Sequence, residues 1–282
     1  VKTVVADYRY RVLCMRIVPV VGSSVYLTTH VRDLVIGGHT YLSTNGYQVS
    51  NYSATSDFAP SSLDIEGIMD VAGIGRDALA SGAFDGAKVF GFATTWRTPI
   101  EDEEQITAGF FGKAVMMDDR FQMNFTSLSD ALNQKTRNTY VAPCPKTFCG
   151  QEYAGCMVPL APNTVTGTIT SVTSNSEFRD SARTEAADVF GGGTIMFTSG
   201  PNAGLRAIEI GTHLANGTVI TREPFYYTPV VGNTYSMVRG CRKRLTDCQN
   251  RWNGAAFNNV LNFGGDLWIP NGSTYAHVGR QG

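Results

Sequence analysis

Cysteine is the residue type in this 282-residue chain best suited to do chemistry, and five of its six cysteines fall in two short stretches. Cys144, Cys149 and Cys156 lie in VAPCPKTFCGQEYAGCMVPLAP, and Cys241 and Cys248 in GCRKRLTDC. Thiolates supplied by two loops can hold a zinc ion or an iron–sulfur cluster. Spacing discriminates between them. Zinc hooks usually set their paired ligands roughly two to four residues apart, whereas Cys149–Cys156 and Cys241–Cys248 each enclose six residues. If 241–248 were helical throughout, its two cysteines would share a face about 10.5 Å apart along the axis. That reach suits a bulky cluster better than one small ion. Four thiolates on an oxidised 4Fe–4S cluster leave about two negative charges, which Arg242, Lys243, Arg244 and Arg251 stand close enough in sequence to offset. A cluster is therefore the first reading, zinc the second, and uncoordinated thiols or adventitious disulfides the third.

The other chemically capable residues do not form constellations. Cys14 stands alone inside the apolar run YRVLCMRIVP and reads as a small core residue. His30, His39 and His213 have no acidic or nucleophilic partner at a telling spacing, and read as strand or turn residues. Glu101 to Glu104 form a consecutive acidic knot, which reads as a solvated turn rather than an acid–base pair. The chain has no HExxH, GxSxG or SxxK, and no GxGxxG dinucleotide fingerprint.

Composition narrows the class further. Hydrophobic residues make up 43% and charged residues 17%, with 30 glycines, which favours a β-rich protein with many turns. A net charge of −1 offers no concentrated basic surface for nucleic acid or anionic membrane. No apolar run approaches a membrane span, and no signal peptide is visible. The chain begins at Val1 rather than Met, which points to an upstream residue or segment removed or left out. Synthesis in a reducing compartment follows as the expectation, and paired thiols there more often hold metal than form disulfides.

The elements that must position the cysteines read as mainly β, with a minor helical part. Residues 1–140 form an N-terminal β-rich domain. It contains strands at 10–19, 88–96, ITAGFFGKAVMM and RFQMNFTSL, a hairpin turning at Gly37-Gly38, and a polar loop or ribbon at 43–62. Short helices are expected at Arg76–Ala80, ending at Gly82, and at DALNQKT, capped by Ser129. Residues 141–282 form the cysteine-bearing domain. Inserted at about 164–239 is a small antiparallel barrel or sandwich, with turns at Ser199-Gly200-Pro201-Asn202 and Asn216-Gly217, which returns the chain to Cys241. The Cys- and Pro-rich segment before it is too poor in apolar periodicity to order itself by burial, so the thiols are expected to tie it down.

GCRKRLTDC followed by FNNVLNFGGDLWIP resembles the C-terminal signature of baseplate hub (tail-tip) proteins of long-tailed, non-contractile, lambda-like phages and gene transfer agents. The segments THVRDLVIGGHTY, SSLDIEGIMD, ALASGAFDGAKVFGFATTW, ITAGFFGKAVMMDDRFQMNFTSLSDALNQ, CGQEYAGCMVPLA and GTIMFTSGPNAG follow the same family order along most of the chain. Leu267-Trp268 stand where relatives often carry a Pro-His pair.

The resemblance implies a virion structural protein rather than an enzyme. It would form a homotrimeric ring at the tail tip, joining the tail tube and distal tail protein to the central fibre or receptor-binding assembly, after passage through the host cytoplasm during assembly. It also implies an iron–sulfur cluster, as in lambda-type members, in a Cys-rich C-terminal lobe. Carried over residue by residue, its ligands would be Cys149, Cys156, Cys241 and Cys248, with Cys144 as the alternative to Cys149. The competing classes are a tail-associated cell-wall hydrolase, a zinc-stabilised hub, and a small electron carrier.

Overall fold

The alternation that marks residues 11–18 as a strand also gives that strand two faces to bury. In the computed structural model, strand β1 (Arg11–Val18) turns Met15 and Ile17 into one apolar cluster and Val12 and Cys14 into another on the opposite face. The structure describes residues 8–43, 48–49, 62–68, 74–97, 104–127, 140–152, 155–251 and 259–267. The chain divides into two compact units, Val1–Gln134 and Lys135–Gly282.

The first unit is built on a seven-stranded antiparallel sheet. Its members are β1, β2 (Val25–Thr28), β5 (Gln48–Val49), β6 (Ser62–Ile68), β7 (Lys88–Thr95), β8 (Glu104–Met116) and β9 (Arg120–Ser127), in the order β2-β1-β7-β8-β9-β6-β5. The hairpin of β3 (Leu34–Ile36) and β4 (His39–Tyr41) turns at Gly37 and Gly38, both at positive φ, and packs Leu34, Ile36 and Tyr41 against Cys14 and Phe92. Cys14 is a core residue, only 2% exposed. Its thiol lies 3.5 Å from the Thr28 hydroxyl. Helix α1 (Arg76–Ala80) stops where Gly82 takes the left-handed conformation. The strand and helix expectations at these places hold.

Glu104 departs from the sequence reading. It is not a solvated turn residue but the first residue of β8, buried, with its carboxylate 3.8 Å from the Arg11 guanidinium. The tertiary pairing of β8 with β7 and the cation on β1 draw it in, and neither is visible from a run of four acids. Glu101, Asp102 and Glu103, the Ser129-capped helix and most of the 43–62 ribbon lie outside the described residues. His30 stacks on Trp96 and His39 on Tyr26, in keeping with ordinary structural roles.

The second unit carries the β-module as one sheet. Strands β10 (Thr164–Thr168), β11 (Ser171–Val172), β12 (Glu177–Arg179), β13 (Thr194–Phe197), β14 (Ile208–His213), β15 (Thr218–Thr221) and β16 (Thr234–Val238) run antiparallel in the order β10-β16-β13-β14-β15-β12-β11. A bulge between Ile210 and Thr212 bends β14, whose first half pairs with β13 and second half with β15. The sheet therefore curls into a half-barrel around Phe178, Phe190, Phe197, Phe225 and Tyr235. Phe197 and Phe225 meet edge-on at 4.8 Å, and Phe178 packs on Tyr235 at 5.5 Å. Such pairs add about 0.5–1.5 kcal/mol each beyond the area they bury. No helix among the described residues is long and apolar enough to cross a membrane.

Two buried polar groups sit in this half-barrel. His213, at the end of β14, is wholly buried edge-on to Phe190, and burial lowers its pKa so that the ring stays neutral. Asp180, 1% exposed, accepts hydrogen bonds from the Tyr235 hydroxyl (2.7 Å) and from the backbone N–H groups of Thr168 (3.3 Å) and Ala182 (2.9 Å). Its donors come from both ends of the sheet, so this carboxylate fixes how far the half-barrel closes. Tyr235→Phe removes one donor from a buried charge and is expected to destabilise the chain by about 1–3 kcal/mol. Urea unfolding of the full chain measures this, and an unchanged midpoint would refute the role given to Asp180.

Candidate metal centre

Three segments without regular strand structure meet in the second unit: 140–158, 240–251 and 259–267. The first is a hook, not a core element, as its composition predicts. Cys149 and Met157 both adopt left-handed backbone, with φ of 59° and 60°, which turns the chain back on itself. The Met157 N–H donates to the Gly150 carbonyl (2.9 Å), and the Gln151 side chain donates to the carbonyls of Cys149 (3.2 Å) and Val158 (2.9 Å). These bonds satisfy backbone groups that no sheet serves.

The second segment arrives from β16. Gly240, directly before Cys241, crosses the Gly191–Gly193 loop of the half-barrel so closely that a Cβ there would overlap the Gly191 carbonyl oxygen. Side-chain-free backbone on both sides is what permits the crossing. Cys241 then precedes the helical turns, which run only through the last residues before Arg251 and are π-type over Asp247–Arg251. The fully helical geometry considered from sequence therefore does not form. Lys243, at φ 61°, wraps its own N–H back onto the Cys241 sulfur (3.4 Å).

The basic cluster is also engaged differently from the sequence expectation. Arg242 is clamped by Asp247, 1% exposed, which accepts from the Arg242 backbone N–H (3.1 Å), Nε (3.1 Å) and Nη2 (2.6 Å). Asp247 cancels a charge that a count of arginines and lysines leaves free. The Lys243 ammonium donates to the Lys146 carbonyl, and the Cys144 N–H donates to the Lys243 carbonyl (3.0 Å), so the two cysteine-bearing loops are laced together. Arg244 is exposed, and the Arg251 side chain lies outside the described residues.

Sequence reasoning used the third segment only as part of the family signature and gave its residues no chemical role. Asn259, wholly buried, donates to the Cys156 sulfur (3.8 Å) and also hydrogen-bonds Cys248, while Asn262 holds its amide oxygen (2.9 Å). The Gly264 N–H donates to the Cys144 sulfur (3.4 Å). The signals available beforehand were its place in the family signature and the richness of FNNVLNFGGD in Asn and Gly, beginning at Phe257.

These contacts bring all five C-terminal cysteines into one neighbourhood. Cys149, Cys156 and Val158 form a small buried cluster against which Phe148 and Cys241 pack. Burial pushes the Cys149 thiol up to about 12, and the charges of Cys156 and Cys241 add to the effect. Burial likewise pushes Cys248 up to about 11, with Cys241, Cys144 and Cys156 raising it further and the Asn259 hydrogen bond opposing. None of the five is in a disulfide. Among the described residues, however, no group of three or more His, Cys, Asp or Glu side chains is placed to hold a single metal ion. The donor set is all soft sulfur, chemistry that suits an iron–sulfur cluster or zinc. N–H donors aimed at sulfur are also what such centres use to stabilise thiolate charge. On these two grounds the residues fit a thiolate-bound centre.

Two outcomes follow from this geometry. Gly240→Ala forces a methyl group into the Gly191 carbonyl and should cost about 1–3 kcal/mol, read as a lowered urea midpoint; full stability would refute the close crossing. In the metal-free chain, Cys149 and Cys248 hold their protons beyond the unfolded value of about 8.5. The folded state thus binds more protons than the unfolded one above that pH, and stability falls as pH rises toward the folded values of about 11 and about 12. Cys149→Ala should flatten that alkaline decline in pH-dependent unfolding, and an unaltered slope would contradict the crowding.

Comparison with known proteins agrees with this architecture. One chain from the virion of the native gene transfer agent particle shares the fold, with a TM-score of 0.77 at 19% identity over 93% of this chain and 88% of that chain. A search of curated proteins returns no match. Residues 188–272 match the family described as phage conserved hypothetical protein BR0599. Residues 7–159 match the model of the baseplate hub protein N-terminal attachment domain, which spans more than half of the chain. The chain accordingly belongs to the phage baseplate hub protein family.

Proposed function

We propose that this hub forms a homotrimeric ring at the tail tip of the virion, joining the tail tube and distal tail protein to the central fibre or receptor-binding assembly. We further propose that its C-terminal lobe is held by a structural iron–sulfur cluster, of the 4Fe–4S type. The observation that carries the cluster is the meeting of five cysteines, none in a disulfide, from two loops that are separated in sequence by the whole half-barrel. Cys156, Cys241 and Cys248 would supply three ligands, and Cys149 or Cys144 the fourth. When bound, the cluster supplies a cross-link between loops that have little apolar surface of their own, so loading contributes directly to folding of the lobe. The chain's own groups prepare for it: Lys243, Gly264 and Asn259 aim N–H donors at sulfur, and the Arg242–Asp247 clamp shapes the turn between Cys241 and Cys248.

Membership of the hub family supports the ring role, and we take passage through the host cytoplasm during assembly as part of the same proposal. No charge or span argument calls for nucleic acid or membrane as a partner. The reading is passive, with structure rather than turnover as its product.

Iron and acid-labile sulfide analysis of anaerobically purified full-length protein tests the cluster. The expected result is stoichiometric iron and sulfide with broad visible absorbance. Cys248→Ser should abolish the colour and stall tail assembly. Stoichiometric zinc in colourless protein would overturn the cluster and leave the hub role intact. Cleavage of cell wall by the purified protein, lost on replacing Cys14 or His39, would overturn the passive role instead.

A further inference from the structure

A cavity of about 830 Å³ opens in the second unit between the half-barrel and the cysteine-bearing loops. That volume is typical of ligand sites, which run to roughly 300–1,000 Å³. Strands β13 to β15 line it through Thr194, Gly211 and Arg222, Arg239 joins them just past β16, and the hook contributes Thr147 and Phe148. A second cavity of about 210 Å³ shares Ala207, Glu209 and Arg222 with the first and continues to Arg206 and Glu223. The two make one groove across the strands, which suits an extended segment better than a compact molecule.

Six charged side chains line the main cavity: Arg222, Arg239, Arg242 and Lys243 against Asp188 and Glu209. Arg222 is held by Glu209 (2.9 Å) and Arg242 by Asp247 (2.6 Å). Among the described residues, Arg239 and Lys243 pair with no carboxylate, and Arg239 Nε is shielded from solvent without a hydrogen-bond partner. A buried charged donor left without an acceptor is what an anionic partner would satisfy. Gly211 adds room for that partner. It is not a left-handed glycine, and a Cβ there would make only ordinary contacts, 3.4 Å from the Ile220 carbonyl oxygen and 3.5 Å from Arg222 Cγ. Neither its backbone nor its packing demands glycine, yet the missing side chain lets another backbone approach closely.

The mixture of signs selects among anions. Asp188, Glu209 and Glu223 stand among the cations, so a polyphosphate or nucleic-acid backbone, charged at every unit, would meet three carboxylates. A peptide with acids at alternate positions offers carboxylates to Arg239 and Lys243 and main-chain N–H donors to Asp188 and Glu209. The Arg222–Glu209 and Arg206–Glu223 (2.8 Å) pairs are half exposed or more, so exchanging partners with incoming carboxylates costs little.

We infer that this groove docks an extended acidic segment of a neighbouring tail protein, with Arg239 as its anchor and Gly211 as the point of closest backbone approach. The inference rests on the proposed place of the hub among tail proteins, and not on the cluster.

Fluorescence anisotropy of a labelled peptide of alternating Glu and Thr, titrated with the full-length protein as purified, tests the site. Wild type is expected to bind, and to bind more weakly as salt rises. Arg239→Gln should weaken binding on the order of tenfold by removing a charge-assisted hydrogen bond. Gly211→Ala should weaken it as well while leaving the urea midpoint unchanged, a loss that unfolding cannot produce. No binding by wild type, full binding by Arg239→Gln, or equal binding of a peptide with Lys in place of Glu would each overturn the site. Tighter binding of inorganic polyphosphate than of the Glu peptide would overturn the acidic-segment assignment. Because every arm is read on the isolated chain, these failures leave the ring reading intact. A chain that binds the peptide but stays monomeric by light scattering would count against the ring and leave the groove standing.

Discussion

Two backbones touch where Gly240 passes the Gly191–Gly193 loop, and the cysteine lobe depends on that crossing. β16 leaves the half-barrel there, and the next residue is Cys241. A side chain at Gly240 would push the strand end outward and carry the whole 241–251 segment away from the hook that bears Cys149 and Cys156. The half-barrel is thus more than a decoration between two cysteine-bearing loops. Its curl, set by the bulge in β14 and by the Asp180–Tyr235 hydrogen bond, determines where the chain re-emerges.

Beyond that crossing the lobe obeys different rules from the sheets. It has little apolar surface to bury, so its backbone groups are served one at a time, by Gln151, Asp247 and Lys243. Left-handed residues at Cys149, Met157 and Lys243 supply the tight reversals. Burial raises the proton affinity of Cys149 and Cys248, and the charge of the neighbouring sulfurs raises it further. The proposed centre, by removing those protons, would relieve the crowding and add a cross-link together. The protein's own N–H donors would then lower the cost of the charge that remains.

The first unit illustrates how much of a β-protein can be read in advance. Strand period, the Gly37-Gly38 turn, the stop at Gly82 and the burial of Cys14 were all legible, because each depends on local sterics or on alternation over a few residues. Glu104 was not, because its burial depends on Arg11, about ninety positions away in sequence and on a neighbouring part of the sheet. In the second unit the antiparallel β-module and its two turns were legible, but its form as one bent sheet was not. A one-residue bulge at Gly211 decides that, and nothing local announces it.

The cysteines show the same division. Their types and clustering in two stretches, and the order of segments around them, were sufficient to mark a thiol-rich lobe and the hub family, because composition and linear order survive in one dimension. Which sulfurs face N–H donors, that Asp247 neutralises Arg242, and that Asn259 links Cys156 to Cys248 were decided only by tertiary structure. Each of those facts is a direction or an encounter between groups up to 120 residues apart, set by how a glycine crossing and a curled sheet return the chain to itself.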